Sequence, residues 1–271
     1  MPVRDINVVF TVDTETPQSF TPERCDAPGI IEVSQKYGVA ITWFIYTNRP
    51  SPRSVVEYYE QNFFHLMPDN NEIGLHTHYD EPRFPLRDTI INLQLDPAVR
   101  KDVVTTGYDT LVSMGHKPVS HRTGCLAMES LDIKNLETAG IIIDSSTSPG
   151  IYLGNHPGHG DCTSMKIREP YNPDYNNHME RGDAKLIIAP ISSLGSDVGV
   201  LEYVGFHGIK KIVDYYIELG LPIVLVMHDG MSESDDRPAP SMVLEPVILY
   251  LREKGANFIT MSDLANLLKN D

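Results

Sequence analysis

Cysteine is scarce in this chain, and the few cysteines show no pairing pattern. Only Cys25, Cys125 and Cys162 occur among 271 residues, and none of them forms a CxxC motif. An odd count without that spacing argues against a disulfide framework and against a zinc site made of cysteines. We therefore expect reduced thiols, as in a cytoplasmic protein.

Basic residues and long apolar runs are also few. Lys and Arg number 22 against 37 Asp and Glu, a formal net charge of −15, which argues against a partner bound through nucleic-acid phosphates. Apolar runs such as Ile223–Met227 are far shorter than the roughly 20 residues of a membrane span, and the N-terminal residues show no signal-peptide pattern. We predict a cytoplasmic location with no membrane span. A homo-oligomer is left open.

Strand-like and helix-like segments alternate along the chain. The length and the hydrophobic content of 41% suffice for one large domain, so we predict a single domain over residues 1–271. Alternation of this kind is typical of parallel βα units, and seven or eight units favour a closed or nearly closed barrel. The predicted strands are Asn7–Val12, Val39–Tyr46, Ile73–His78, Pro118–Thr123, Ile141–Asp144, Lys185–Ile191, Ile223–Met227 and Asn257–Ile259.

One long segment, at about 145–184, interrupts this alternation. It is rich in Gly, Pro, Asn, His and Asp and shows no periodicity. A loop of this length in a compact domain is usually functional, so we predict a long active-site loop.

Paired polar residues follow the predicted strands. His76 and His78 close one apolar run, and Asp13 and Glu15 close another. Residues two apart in an extended strand point to the same face, so each pair projects together. In βα barrels the catalytic groups come from the carboxyl ends of different strands. Other strand ends supply further candidates, which are Arg122, Asp144, His228 and Asp229.

These residue types suit metal-assisted hydrolysis of an amide or ester. Two imidazoles and one carboxylate can hold a divalent ion and leave one position open, and such an ion activates water and polarises a carbonyl. A second carboxylate can take the proton of the water. His228 can protonate the leaving amine while an adjacent acid fixes its tautomer, and Arg122 can hold a carboxylate.

The order of these motifs resembles that of the NodB-homology polysaccharide deacetylases, which form carbohydrate esterase family 4. The resembling segments lie along nearly the whole chain. They are Thr11-Val12-Asp13-Thr14-Glu15, His76-Thr77-His78, His121-Arg122-Thr123-Gly124, Asp144-Ser145-Ser146 and the aliphatic run that ends in His228-Asp229. The variant motifs look like those of a divergent branch associated with lipopolysaccharide biosynthesis.

The resemblance implies an α/β fold, a distorted (β/α) barrel with about seven parallel strands. It implies a metal-dependent hydrolase that removes an N- or O-acetyl group from a carbohydrate or glycoconjugate precursor, acting on carbon–nitrogen bonds other than peptide bonds. Zinc is the expected ion. The implied catalytic residues are Asp13 as base, Arg122 as the residue that orients it, His228 as acid and Asp144 of the fourth motif. The implied metal ligands are Glu15, His76 and His78.

Two departures from the family pattern keep alternatives open. Thr14 stands where the family has a metal-binding aspartate, so either Glu15 binds the metal and Asp13 is the base, or the two exchange roles. The HxH spacing replaces the HTxxH spacing of the family. A hydrolase of a non-sugar C–N bond and a catalytically silent carbohydrate-binding barrel are therefore the competing hypotheses. The predicted long loop could be a lid whose Tyr152, Tyr171 and Tyr175 stack on sugar faces.

Overall fold

A computed structural model describes residues 5–15, 24–47, 52–79, 96–153, 160–230 and 237–270. The chain divides into two compact units. Unit 1 comprises Met1–Trp43, Tyr58–Glu72 and Ile191–Asp271, and unit 2 comprises Phe44–Glu57 and Ile73–Pro190. The single catalytic domain over residues 1–271 stays a prediction.

Strands and helices alternate as the sequence predicts. The strands are β1 (Asn7–Asp13), β2 (Ile41–Tyr46), β3 (Glu72–Thr77), β4 (Ser120–Thr123), β5 (Ile143–Asp144), β6 (Ile187–Ile188), β7 (Ser193–Leu194), β8 (Asp197–Val198), β9 (Ile223–His228) and β10 (Asn257–Phe258). The helices are α1 (Ala27–Tyr37), α2 (Pro52–Asn62), α3 (Pro97–Ser113), α4 (Asp132–Ala139), α5 (Leu201–Leu219), α6 (Pro240–Glu253) and α7 (Met261–Asn270), with short 3₁₀ turns at Phe64–Leu66 and Gly124–Leu126.

In unit 1, β1 is the central strand. It pairs in parallel with both β9 and β10. Both β1 and β9 are apolar on both faces and almost entirely buried, as strands covered on two sides are. The register places Asp13 opposite His228, so the carboxyl ends of β1 and β9 bring the first and last motifs together.

Unit 2 contains the second half of β2 and the strands β3 to β6, which are ordered β2-β3-β4-β5-β6. The pairings of β3 with β4, β4 with β5 and β5 with β6 are parallel. His76 lies opposite Arg122, and His121 lies opposite Asp144. Because side chains alternate between faces, His76 and Arg122 share one face while His121 and Asp144 share the other.

Several predicted boundaries differ from those of the structure. The predicted strand Ile73–His78 ends at Thr77, so His78 lies just past it. The predicted strand Lys185–Ile191 is regular only at Ile187–Ile188. The sequence pattern also predicts a helix over Gly208–Leu219, and in the structure this helix, α5, begins earlier, at Leu201, and passes through a kink at Gly205 that glycine permits.

The segment 145–184 is irregular but ordered by isolated β-bridges. Tyr152 pairs with Asp161 and Pro173 pairs with Arg181, while residues 154–159 lie outside the described part. Within the residues that the structure describes, no helix has both the length and the hydrophobicity that crossing a membrane requires.

Candidate active site

His228 in unit 1 is held on two sides by consecutive residues of α5. Its Nδ1 donates to Glu202 Oε1 at 2.5 Å. The ring of Tyr203 stacks on the imidazole, with centroids 5.5 Å apart and planes 22° from parallel. On the other side, His228 Nε2 lies 4.0 Å from Glu15 Oε1. These contacts fix the ring and leave Nε2 as the nitrogen available to a substrate.

The surroundings of His228 favour its protonated form. Burial disfavours the imidazolium, but the negative charge of Glu202, the hydrogen bond to it and the charge of Glu15 outweigh that effect. The pKa of His228 is therefore raised well above its ordinary value. An imidazole that stays protonated at neutral pH can donate a proton from Nε2, which suits the acid that the sequence predicts at this position.

Glu202→Gln is expected to shift the basic limb of the pH–rate profile to lower pH. An acid with a raised pKa is active below that pKa and is lost as the pH rises through it. Glutamine removes the negative charge that holds the proton, so the loss should begin at lower pH. Rates measured across pH test this, with Glu218→Gln, an exposed residue of the same helix, as control. A limb that does not move would show that Glu202 does not set the pKa of His228.

A glycine kink explains how two adjacent helix residues reach one ring. Gly205 has φ 62° and ψ −179° inside α5, a region that residues with a side chain hardly populate. The first turn of α5, which begins at Leu201, is therefore kinked relative to the helical residues after Gly205. Glu202 and Tyr203 were missed at the sequence level, because the glycines near the start of α5 made the helix appear to begin later.

Asp229 holds the backbone that follows β1, and it does not hold the imidazole of His228. Its Oδ1 accepts from the backbone N–H of Glu15 at 2.7 Å, and its Oδ2 accepts a short hydrogen bond from the hydroxyl of Tyr59. Its backbone carbonyl accepts from Asp26 N at 2.6 Å. The acid that fixes the tautomer of His228 is thus Glu202. The neighbouring Asp229 instead anchors the backbone at Glu15, just past the end of β1.

The paired histidines of unit 2 have their ring nitrogens turned toward each other. His76 Nε2 and His78 Nε2 lie 3.1 Å apart. His76 Nδ1 is 3.0 Å from the backbone carbonyl of Arg122, and since a carbonyl only accepts, this nitrogen carries the proton. The lone pair of His76 is therefore on Nε2, facing His78. Two nitrogens at about 2.0–2.1 Å from one ion lie roughly 3 Å apart, so the pair fits a shared metal ion.

Tyr46 and Gly124 pack closely against this pair of histidines. The ring of Tyr46 lies 5.2 Å edge-on from His78 and 5.8 Å from His76. Gly124 lies so close to His78 that a Cβ there would be 2.1 Å from the imidazole. The next residues, Cys125 and Leu126, hold positive φ angles of 56° and 52°, which is strained for side chains of this kind. Strain of this kind concentrates at functional sites.

Gly124→Ala is expected to weaken metal binding about 10- to 100-fold, the range seen when groups that orient a ligand are lost. The new methyl group would displace the imidazole of His78. Metal affinity measured by titration tests this. The control is Gly74→Ala, whose Cβ would meet Phe44 and Ser120 instead. Equal metal affinity in both variants would show that the position of His78 does not limit binding.

Arg122 is a buried residue, 1% exposed, and not a surface cation. Its Nε donates to the backbone carbonyl of Ser145 at 2.8 Å, and its Nη2 donates to Ser145 Oγ at 2.9 Å. The guanidinium also lies 4.8 Å above the ring of Phe44. Arg122 and the fourth motif are therefore joined directly in unit 2.

Asp144 belongs to a buried hydrogen-bonded chain on the opposite face of the same strands. Its Oδ2 accepts from His121 Nδ1 at 2.7 Å, and His121 Nε2 is 2.8 Å from the hydroxyl of Thr77. Ser146 donates to both carboxylate oxygens of Asp144. All of these side chains are at most 1% exposed. This hydrogen-bonded chain holds β3, β4 and β5 in register behind His76 and Arg122. The sequence analysis included His121 in the third motif but assigned it no role.

The three tyrosines of the predicted lid have different surroundings. Tyr171 is buried, and its hydroxyl donates to the carbonyl of His178 at 2.5 Å, so stacking on a sugar is wrong for this residue. Tyr175 donates to Glu137 at 3.0 Å. Tyr152 is the exposed one of the three.

Comparison with known proteins places the fold. No protein-family profile matches the chain, and no curated protein matches it. Among solved structures, a Mycobacterium smegmatis protein whose assignment as a polysaccharide deacetylase is provisional aligns with a TM-score of 0.66 at 16% identity, over 100% of this chain and 92% of that one. A family 4 carbohydrate esterase from Streptomyces lividans, in complex with acetate, aligns with a TM-score of 0.50 at 12% identity, over 92% and 90%. The chain has the fold of the polysaccharide deacetylases.

The predicted fold class, an α/β barrel of the NodB-homology type with about seven parallel strands, is thereby confirmed. This fold does not by itself fix the activity. A family 4 pseudoenzyme from Bacillus anthracis aligns with a TM-score of 0.53 at 10% identity, over 97% of this chain and 66% of that one. Identities this low establish the fold alone, so the activity must be argued from the side chains.

Proposed function

We propose that this protein is a metal-dependent hydrolase that removes an acetyl group from the nitrogen or oxygen of a carbohydrate or glycoconjugate precursor. The observation that carries the proposal is the convergence of His76 Nε2 and His78 Nε2, 3.1 Å apart, with His76 held in the ligand tautomer by a backbone carbonyl. The fold it shares with the deacetylases supports the choice of reaction.

The metal would be held by His76 and His78, with Glu15 as the carboxylate ligand and zinc as the expected ion. Two nitrogens and one carboxylate form a known donor set of catalytic zinc sites. When bound, such an ion lowers the pKa of water and polarises the carbonyl of the acyl group.

The remaining roles fall to residues of this chain. Asp13 takes a proton as general base, with Glu15 as the alternative, and Arg122 orients the base. His228 donates a proton from Nε2 to the leaving amine, because Glu202 keeps the imidazole charged. Asp144, whose carboxylate accepts from His121 and Ser146, would support the strand that bears Arg122.

We also propose the finer features that the motifs suggest. They are a carbon–nitrogen bond as the preferred target, a cytoplasmic location and a place in lipopolysaccharide biosynthesis. The absence of any disulfide among the three cysteines is compatible with a reducing compartment.

Acetate release tests the proposal directly. The protein is loaded with zinc, cobalt, nickel or manganese and incubated with N-acetylated and O-acetylated sugars. Acetate release that a chelator stops and added metal restores is the expected result. Sugar binding without acetate release would favour the silent carbohydrate-binding barrel. Turnover of cyclic or formyl amides alone would favour the non-sugar C–N hydrolase.

A further inference from the structure

Thr14, the first residue after β1, is buried in the core of unit 1. It is 0% exposed, whereas the side chain of its neighbour Glu15 is 18% exposed. This contrast matches the alternation of side chains along an extended chain, in which residue 14 points away from the face that bears residue 15. The side chain that departs from the family pattern is therefore directed into the core.

A buried tyrosine links Thr14 to Asp229. The hydroxyl of Tyr59 donates to Asp229 Oδ2, and the side chain of Thr14 is hydrogen-bonded to the same hydroxyl. A tyrosine hydroxyl has one proton, which is used toward the carboxylate, so Thr14 is the donor in the second bond. Tyr59 and Asp229 are each 0% exposed, so these three side chains form one buried hydrogen-bonded network.

Asp229 connects this network to the backbone of the residues on both sides of Thr14. Its Oδ1 accepts from the backbone N–H of Glu15 at 2.7 Å, and its own backbone N–H donates to the carbonyl of Asp13 at 3.3 Å. Hydrogen bonds thus lead from Thr14 through Tyr59 and Asp229 back to the next residue of the chain. The network holds the backbone at the point where the pairing of β1 with β9 ends.

We propose that Thr14 is a positioning residue, whose hydroxyl acts through Tyr59 and Asp229 to fix the direction in which Glu15 leaves β1. This inference rests on the proposed function, in which Glu15 is the carboxylate ligand of the metal. Groups that orient a ligand change metal affinity although they do not touch the ion. Threonine at position 14 thus supports metal binding without being a ligand.

Three substitutions at position 14 distinguish a positioning residue from a lost ligand. Thr14→Ser keeps the hydroxyl and should retain the metal affinity of the wild-type protein. Thr14→Val removes the hydroxyl and should weaken metal binding about 10- to 100-fold in a calorimetric titration. Thr14→Asp should bring no gain in affinity, because a second buried carboxylate next to Asp229 is disfavoured. Tighter metal binding by the aspartate variant would overturn the inference.

The matched control is Thr42→Val, which removes another buried threonine hydroxyl of unit 1. Thr42 lies near the amino end of β2, and its hydroxyl accepts from the backbone N–H of Met261 at 3.0 Å. This variant should have a lower Tm but the same metal affinity as the wild-type protein. Equal metal affinity of Thr14→Val and Thr42→Val would show that the hydroxyl of Thr14 does not position the ligand.

Unfolding of the metal-free protein tests the network independently of the proposed function. Thr14→Val and Tyr59→Phe each interrupt it, so the double variant should lose less stability than the sum of the two single losses. Additive losses would contradict the network. A wild-type protein that binds no metal would count against the proposed function, while the coupling still decides whether Thr14 and Tyr59 act together.

Discussion

Replacement of His76 by alanine is expected to abolish both metal binding and hydrolysis. His76 Nε2 faces His78 Nε2 at 3.1 Å, and the backbone carbonyl of Arg122 fixes its tautomer. Loss of one imidazole leaves too few strong ligands for a transition metal. The ion contributes several kcal/mol to transition-state stabilisation, so kcat/KM should fall at least about a thousandfold.

Elemental analysis of the purified protein gives the first measurement. The wild-type protein should hold about one ion per chain, and the His76→Ala variant should hold none. Thermal unfolding gives a second readout, since added metal should raise the Tm of the wild-type protein only. His65→Ala is the matched control, because His65 is an exposed histidine. Unchanged turnover in the His76 variant would eliminate the metal mechanism.

Replacement of His228 by alanine is expected to lower kcat by about 10²- to 10⁴-fold while metal content stays unchanged. The imidazole is charged because the negative charge of Glu202 raises the pKa of His228 more than burial lowers it. Nδ1 of His228 contacts this carboxylate, so Nε2 faces away from it. An amine is a poor leaving group unless it is protonated, so an amide substrate needs this acid.

Substrates with different leaving groups can distinguish a role of His228 as proton donor from a purely structural role. An activated ester such as 4-nitrophenyl acetate leaves without a proton, so the same variant should lose far less activity toward it. His207→Ala is the control, since His207 is exposed on the same helix that carries Glu202. Equal losses for amide and ester, or loss of the metal, would contradict the assignment of His228 as the acid.

The positions of the candidate residues at strand ends could be predicted because the signals for them are local. An apolar run that ends in polar residues marks a buried strand and its exposed end, so Asp13, His76, Arg122 and His228 could all be placed from short segments. The ends of the long strands β1, β3 and β9 fall within one residue of their predicted limits. Two-residue strands such as β6 were overestimated, because their pairing depends on neighbours far away in sequence.

The sequence by itself determined the order of the strands and helices, the type of barrel and the residue types at the strand ends. Tertiary structure alone decided which of these side chains act on each other. Glu202 reaches His228 across 26 positions, through a turn that only the kink at Gly205 orients. His121 and Asp144 meet because β4 and β5 pair in one register. Contacts of this kind depend on register, burial and rare backbone angles, which no short segment of sequence encodes.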